Sequence, residues 1–435
     1  MNYAIIQNGV VEILKDLNGT IEEILGCVSG PAEKEDLFIL DALDRICAED
    51  VTARFSVPPF DTSAMDGFAV ASSRFVKSEA GRTTLNVIGE AAAGCVNGFE
   101  IREGEAVKIM TGAPLPAGAD AILVKEAAEE EKEDGKWTVS SREKLKPGLH
   151  VRRTGADFSA GDVIVPRGTR LNPAALGILA SSGYSRVKAF KKRAVAVVST
   201  GDELIDPLDE RVAAAGFAPE FGRIMNSNLF LLYGLLNKTG VKCELGGIAR
   251  DTPEEIAARI SEGLLKADIV ITTGGASVGS YDYIPDALKL LNFDVNIWKM
   301  AIKPGRPFIF ALKKTGSRNK LVFGLPGNPA SSLVSFIKLL RPALYKYAGL
   351  KNPGECLTVK GAISESVKRD PERTTYLRAV ISNPAGAEGK PPLISVPSKQ
   401  DSNILTTALA ANCLAEIPPG EGRIESGEIV WAQII

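Results

Sequence analysis

Apolar positions in residues 10–50 recur at helical spacing, Val11, Leu14 and Leu17 first and then Leu37, Leu40, Leu43 and Ile46, a period that predicts two amphipathic helices. From Arg54 the texture changes. Pro58-Pro59 and short β-rich runs at Leu85 to Ile88, Val107 to Met110 and Ala121 to Val124, separated by Gly and Pro, predict a small β module over 54–149. The acidic run Glu129 to Gly135 reads as a solvated hairpin tip of that module. Residues 150–188 are mixed again, with an apolar helical pattern at Ala174 to Ser181, and are expected to pack back on 1–53 as a discontinuous linking domain.

From Arg193 strand and helix patterns alternate. A short apolar run, Ala194 to Ser199, ends in Thr200-Gly201; Ser227 is placed to cap a helix through Leu236; Val241 to Ile248 alternates as a strand. Thr252-Pro253-Glu254-Glu255 then opens a helix, with capping-box spacing and Pro at the first helical position, where its missing N–H costs nothing. Asp268 to Thr273 reads as a buried strand, Tyr281 to Leu291 as a helix, and Leu321 to Gly324 as a strand turning through Pro326-Gly327 into a helix from Pro329 to Leu340. This alternation predicts a multidomain α/β chain whose central domain, 189–348, is a doubly wound, mostly parallel sheet. After Pro353 the runs Val359 to Ile363, Tyr376 to Ile381, Leu393 to Val396 and Ile429 to Ile434 predict a C-terminal β domain over 349–435, a barrel or sandwich.

Composition narrows the chemistry. The 51 Lys+Arg and 53 Asp+Glu leave a net charge of −2, which gives no reason to expect a nucleic acid as partner. Six cysteines without a C-x-x-C pair argue against a zinc ribbon, a thioredoxin-type motif or a secreted disulfide framework and suit a reducing cytoplasm. The start, MNYAIIQNGVVEILKDL, does not read as a signal peptide. No uncharged helical pattern reaches the ~20 residues of a membrane span. His150 is the one histidine, so a Ser-His-Asp triad or a His-rich metal site would have to be built on it alone. Catalysis is left to carboxylates, cations, hydroxyls and backbone amides, and His150 is assigned to junction structure.

Ligands of open α/β sheets bind outside the carboxyl ends of the strands, so the loops there carry the candidates. Thr200-Gly201 and the stretch T-T-G-G-A-S-V-G, with Gly274, Gly275, Ser277 and Gly279, let backbone N–H groups approach an anion at a helix start. Neither is a G-x-G-x-x-G or Walker motif. One such turn is equally a tight ligand-free connection; the second, Pro326-Gly327-Asn328-Pro329, shifts the balance toward phosphate. Glu203, Asp251, Asp282 and Asp286 fall at or beyond strand ends, where carboxylates suit Mg²⁺ bridged to substrate phosphates or, in the plainer reading, helix caps and first-turn dipole partners. Lys299, Lys303 and Arg306 either neutralise oxyanions or are solvated surface. The cluster Pro58 to Ala69, with two acids and two hydroxyls, is either chemistry or a domain junction.

Taken together, PPFDTSAMDGFAV (58–70), KIMTGAPLPAGADAILVKE (108–126), VSTGDEL (198–204), GGASVGSYDYI (274–284), WKMAIKPGRPFIF (298–310) and GLPGNPASS (324–332) resemble molybdopterin molybdotransferases of the MoeA type, also represented by the gephyrin E domain. The motifs stand in family order and the resemblance covers essentially the whole chain. It implies Mg²⁺-dependent insertion of molybdate into adenylylated molybdopterin, with release of AMP. It implies catalytic roles for Asp66, Thr111, Glu203, Asp251, Asp282, Lys299 and Lys303, with Glu203, Asp251 and Asp282 toward the metal. It further implies substrate contacts at the two Gly-rich turns, Arg306, Pro326 and Pro329, and at Arg378 and Ser402, whose surroundings match less closely. A homodimer is implied, with a molybdopterin adenylyltransferase upstream and molybdoenzymes downstream. Ala276, Ser280 and Arg306 depart from the family's common residues. Two alternatives stand beside this reading: an adenylyltransferase acting on molybdopterin, and a scaffold that kept the fold.

Overall fold

Six strands from Ala194 onward build the central sheet of the computed structural model, which describes residues 3–7, 10–74, 81–94, 98–214, 216–274, 283–316, 318–383 and 389–435. They are β1 (Ala194–Thr200), β2 (Lys242–Ala249), β3 (Ile269–Thr273), β4 (Asp294–Lys299), β5 (Pro307–Thr315) and β6 (Arg318–Leu325), in the order β2-β1-β3-β6-β5-β4. β1, β2, β3 and β6 run parallel; β5 is antiparallel to both neighbours. The mostly parallel expectation holds, and the β5–β6 hairpin supplies the exception.

The period of two in β1 explains the double winding. Val195 and Val197 face one core with Leu229, Leu232, Leu236 and Leu333, while Ala196 and Val198 face the other with Ile256, Ile260, Ile284 and Leu288. Helices α1 (Ser227–Asn237) and α4 (Pro329–Ser335) therefore cover one face, and α2 (Pro253–Lys266) and α3 (Ile284–Leu290) the other. Thr252 caps α2 as expected, its Oγ1 accepting from Glu255 N at 3.3 Å. For α1 the cap is Asn226 rather than Ser227: Asn226 Oδ1 accepts from Leu229 N at 3.3 Å. The last helix passes Leu340 through a π turn (Phe336–Leu340) and runs on as Arg341–Ala348, ending where Gly349 takes φ 99°. Of the expected helix from Tyr281 to Leu291, residues 281 and 282 lie outside the described residues.

The N-terminal expectation of two helices is corrected. Val10–Leu14 is a strand paired with Tyr3–Gln7; Leu17–Cys27 is an α-helix capped by Asp16, and Ile39–Asp41 is a single 3-10 turn. Lys34–Phe38 is a strand paired with Arg186–Phe190. Leu40 is 88% exposed and Leu43 48% exposed, so that apolar spacing marks no buried stripe, and pairing with a distant strand overrides it.

The β module is a six-stranded sheet around Phe68, Val70, Leu85, Val87, Leu123 and Val139. Its acidic run is mostly the strand Glu129–Glu133; the hairpin tip is Asp134-Gly135, both at positive φ. At the C-terminus, Thr374–Ser382, Leu393–Ser395, Thr358–Ile363, Ile429–Ile434 and Cys413–Ile417 pair in that order and close back on Thr374–Ser382 as a five-stranded barrel. Cys413–Ile417, absent from the sequence expectation, supplies the closing strand. Between β4 and β5, the two-residue strand Ile302–Lys303 pairs in parallel with Thr374 and Thr375, which seats the barrel beside the start of β5.

Candidate functional site

The carboxyl ends of β1, β3 and β6 open onto a cavity of about 680 Å³. Thr200, Gly201 and Glu203 reach it from β1, Asp251 from beyond β2, Gly274 from β3, and Pro326, Gly327, Asn328 and Pro329 from the turn after β6. Two glycines make this convergence possible. Gly274 sits at φ 90°, and a Cβ there would stand 2.5 Å from the Thr200 carbonyl oxygen; a Cβ on Gly201 would run into the Glu203 carboxylate. The Glu203 carboxylate is thus folded over the backbone at the cavity's edge.

Asp202 and Asp251 clasp each other: Asp202 N donates to Asp251 Oδ2 at 3.2 Å, and Asp251 N to Asp202 Oδ1 at 3.4 Å. Asp202 was not among the expected residues, although its place in T-G-D-E beside Glu203 was the signal. Asn226 and Asn228 at the start of α1 also line the cavity and were not anticipated; Asn228 Nδ2 donates to the Gly327 carbonyl at 2.6 Å and so ties α1 to the second turn. For a metal, the donors are all hard oxygens. Among the described residues no three of His, Cys, Asp or Glu form a preformed metal cluster. Mg²⁺ usually takes only one or two protein carboxylates, keeping waters and substrate phosphates for its other positions, so Glu203 and Asp251 fit that ion rather than a caged one. Asp282, with Gly275, Ser277 and Gly279, lies outside the described residues.

A second cavity, about 540 Å³, shares Pro307 and Ser331 with the first. Its charge is opposite: among the described residues Lys303, Arg306, Lys368 and Arg373 line it against a single acid, Asp401. The C-terminal region contributes most of this wall. Ser402 lines it, and the Ser402 carbonyl accepts from Ala330 N at 3.0 Å in the first turn of α4, while Asn403 reaches the first cavity.

Arg378 does not line either cavity. It is fully buried, its Nε donating to Thr407 Oγ1 at 2.7 Å and its Nη2 to the carbonyls of Asp401 at 3.2 Å and Lys399 at 3.4 Å, so it holds the 399–402 loop from behind. The barrel arginine that faces the cavity is Arg373, five residues earlier in R-T-T-Y-L-R, which the sequence reading did not name. Lys299 ends β4, half-buried, and lines neither cavity; its carbonyl accepts from Lys15 N at 2.9 Å.

In the β module, Thr111 N and Thr111 Oγ1 both donate to Asp66 Oδ1 at 2.7 Å, and the Thr111 hydroxyl, then its N–H, hold the Asp66 carboxyl below the usual carboxylate range. The pair is exposed and lines neither cavity of its own chain. Asp61 from the same motif has a structural task, accepting from Thr154 N at 2.8 Å and Arg153 Nη1 at 2.6 Å. His150 is exposed at φ 56° and its carbonyl accepts from Ala64 N.

Three family models match the chain: the MoeA N-terminal region (domains I and II) over residues 10–183, a probable molybdopterin binding domain over 196–346, and the MoeA C-terminal region (domain IV) over 360–435. A molybdopterin molybdenumtransferase of Haemophilus influenzae is 35% identical over 402 residues, covering 92% of this chain and 93% of the relative. One from Nostoc is 33% identical over 421 residues, covering 96% and 93%. Among solved structures, a molybdopterin biosynthesis MoeA protein of Pyrococcus horikoshii superposes with a TM-score of 0.77 at 27% identity, covering 97% of this chain and all of that one. A second structure of a MoeA protein from that organism gives 0.69 at 31% identity, covering 97% and 99%. Across three consecutive family regions and nearly its whole length, the chain belongs to the MoeA family of molybdopterin molybdenumtransferases.

Proposed function

We propose that this chain inserts molybdate into adenylylated molybdopterin, cleaving the phosphoanhydride and releasing AMP and molybdenum cofactor. The observation that carries the reading is the pairing of an acid-lined cavity with a cation-lined one across the shared wall of Pro307 and Ser331. An adenylylated substrate presents phosphates that suit the Gly-rich turns and the helix starts of the first cavity. Molybdate, a compact dianion, suits Lys303, Arg306 and Arg373, with Ser402 as a hydroxyl donor, in the second. The reacting groups would then lie across one wall from each other, and positioning supplies much of the rate.

Glu203 and Asp251 would hold Mg²⁺ against the substrate phosphates, where the ion supplies charge stabilisation at the breaking phosphoanhydride. The protein's own part is to orient both anions and to set Lys303 and Arg373 toward charge developing on oxyanion oxygens. In this reading the exposed Asp66–Thr111 pair serves the cleft of a second copy, which makes the working unit a homodimer. The division into 1–53 with 150–188, 54–149, 189–348 and 349–435 is its frame. The enzyme works in the cytoplasm, supplied by an adenylyltransferase and feeding molybdoenzymes.

Purified protein mixed with adenylylated molybdopterin, Mg²⁺ and molybdate should release AMP in step with cofactor formation. Absence of molybdate-dependent AMP release would sink the proposal. AMP-adduct formation from ATP and molybdopterin would replace it with an adenylyltransferase.

A further inference from the structure

Behind the cation-lined cavity stands a carboxylate that lines neither cavity. Asp370 is 9% exposed. Its Oδ2 takes Arg373 Nη2 at 2.7 Å and faces Lys303 Nζ at 3.5 Å; its Oδ1 accepts from the backbone N–H of Arg373 at 3.0 Å and of Glu372 at 3.2 Å. The two cations come from different modules, Lys303 from the α/β loop and Arg373 from the barrel. They are brought together where Ile302–Lys303 pairs with Thr374 and Thr375, and Thr374 N donates to the Ala301 carbonyl at 3.0 Å.

A negative charge beside an anion site weakens the local positive potential, so its presence needs a different justification. Lys303 and Arg373 are long, rotamer-rich side chains, and a free cation of either kind samples many positions that miss a small tetrahedral ligand. Both meet Asp370 Oδ2 here, Arg373 also donates from Nε to Oδ1 at 3.3 Å, and the carboxylate itself is fixed by two backbone N–H groups. Burial alone would push the Asp370 carboxyl up, but the Arg373 guanidinium and the N–H groups of Glu372 and Arg373 hold it down to about 2, so the charge persists at any physiological pH.

We infer that Asp370 is a positioning residue for the oxyanion: it latches Lys303 and Arg373 across the module junction and presents both to molybdate in one geometry. This rests on the reading of the second cavity as the molybdate site. Supporting partners of this kind commonly change ligand affinity by about tenfold or more when removed.

The test is calorimetric binding of molybdate alone, and of tungstate, to the full chain, with thermal unfolding measured alongside. Asp370→Asn keeps the size and an oxygen for the backbone N–H groups but loses the charge; molybdate affinity should fall by about tenfold. Tighter binding would mean that Asp370 merely neutralises the site, and unchanged affinity with a lowered Tm would make it a structural joint; either overturns the inference. Arg373→Lys is the second arm, since it keeps the cation but cannot engage both carboxylate oxygens at once. It should weaken molybdate comparably, the combination with Asp370→Asn should be far less than additive, and full additivity overturns the latch. Should Asp370→Asn fail to fold, the Arg373→Lys arm decides by itself: unchanged molybdate affinity overturns the inference. The underlying reading fails separately. If Lys303→Met and Arg373→Met bind molybdate as the wild type does, or the wild type does not bind it, the cavity is not the oxyanion site and the inference falls with it.

Discussion

Replacing Arg378 by Met separates a structural arginine from a ligand contact. The side chain is fully buried and makes one good hydrogen bond, to Thr407 Oγ1 at 2.7 Å, and two long ones, to the Asp401 and Lys399 carbonyls at 3.2 and 3.4 Å. A bond from a charged donor contributes about 1.5–3 kcal/mol; taking the good one near ~2 and each long one below ~1 gives a gross loss of about 3–4 kcal/mol. Against this, Met removes the cost of burying a cation and refills most of the volume, which returns about 1–2 kcal/mol. A net loss of about 2 kcal/mol lowers Tm by roughly 8–16 °C if the barrel melts as a unit of 60–100 residues. Scanning calorimetry should resolve a separate, early barrel transition, and the folded fraction at low temperature should lose less molybdate affinity than Arg373→Met does. A variant within about 2 °C of the wild type that loses molybdate binding selectively would refute the reasoning and return Arg378 to the ligand.

Four further outcomes follow from the geometry. Glu203→Gln should leave Tm within about 1 °C and slow molybdate-dependent AMP release by tenfold or more; unchanged turnover removes Glu203 from the site. Gly274→Ala places a Cβ 2.5 Å from the Thr200 carbonyl at φ 90° and should cost at least about 1–2 kcal/mol in chemical denaturation, with turnover falling as well. The Asp370 carboxyl titrates at about 2 in the fold against 3.8 as its ordinary value, so its stabilising contribution is complete above pH 3.8 and is lost as pH falls toward 2. Denaturation midpoints of Asp370→Asn should consequently show a flatter acid limb over that window than the wild type. His150→Gln should keep wild-type turnover, because the imidazole is exposed and lines neither cavity; lost activity would assign it a role that its position does not explain.

What was legible in the sequence divides along physical lines. β1 buries six of its seven residues, its neighbour β3 buries all five, and β6 beyond β3 ends in five buried residues, so the α/β alternation and the loops at the strand ends could be read directly. The candidates in those loops, Gly201, Glu203, Asp251, Gly274 and Pro326 to Pro329, meet in one cavity because the sheet's handed topology leaves them little choice. Where a residue's environment depends on distant pairing, the local pattern misled. Leu37 has helical spacing to Leu40 and Leu43, yet its strand is selected by Arg186–Phe190, in which its register partner Val187 lies 150 residues away. The burial of Arg378 likewise depends on closure of the barrel, which seals its guanidinium inside and leaves that of Arg373 at the cavity wall. Asn226 displaced Ser227 as the cap by a single residue, a difference that two adjacent good cappers cannot express in sequence.

The absence of histidine chemistry becomes intelligible once the two cavities are seen to divide the charge. Glu203 and Asp251 stand in the first, Lys303, Arg306, Lys368 and Arg373 in the second, and in the proposed reaction each wall holds a fixed charge. Fixed charge requires geometry, and the geometry is assembled from two modules. Among the described residues, the α/β domain supplies the lining of the first cavity except for Asn403, but Lys368, Arg373 and Ser402 come from beyond Pro353. An α/β domain without the barrel would retain the Gly-rich turns of the first cavity and lose most of the lining of the second. The two-residue strand Ile302–Lys303 is therefore the critical joint: it fixes Lys303 in register with Thr375 of the barrel, so that docking the barrel and building the cation wall are one event.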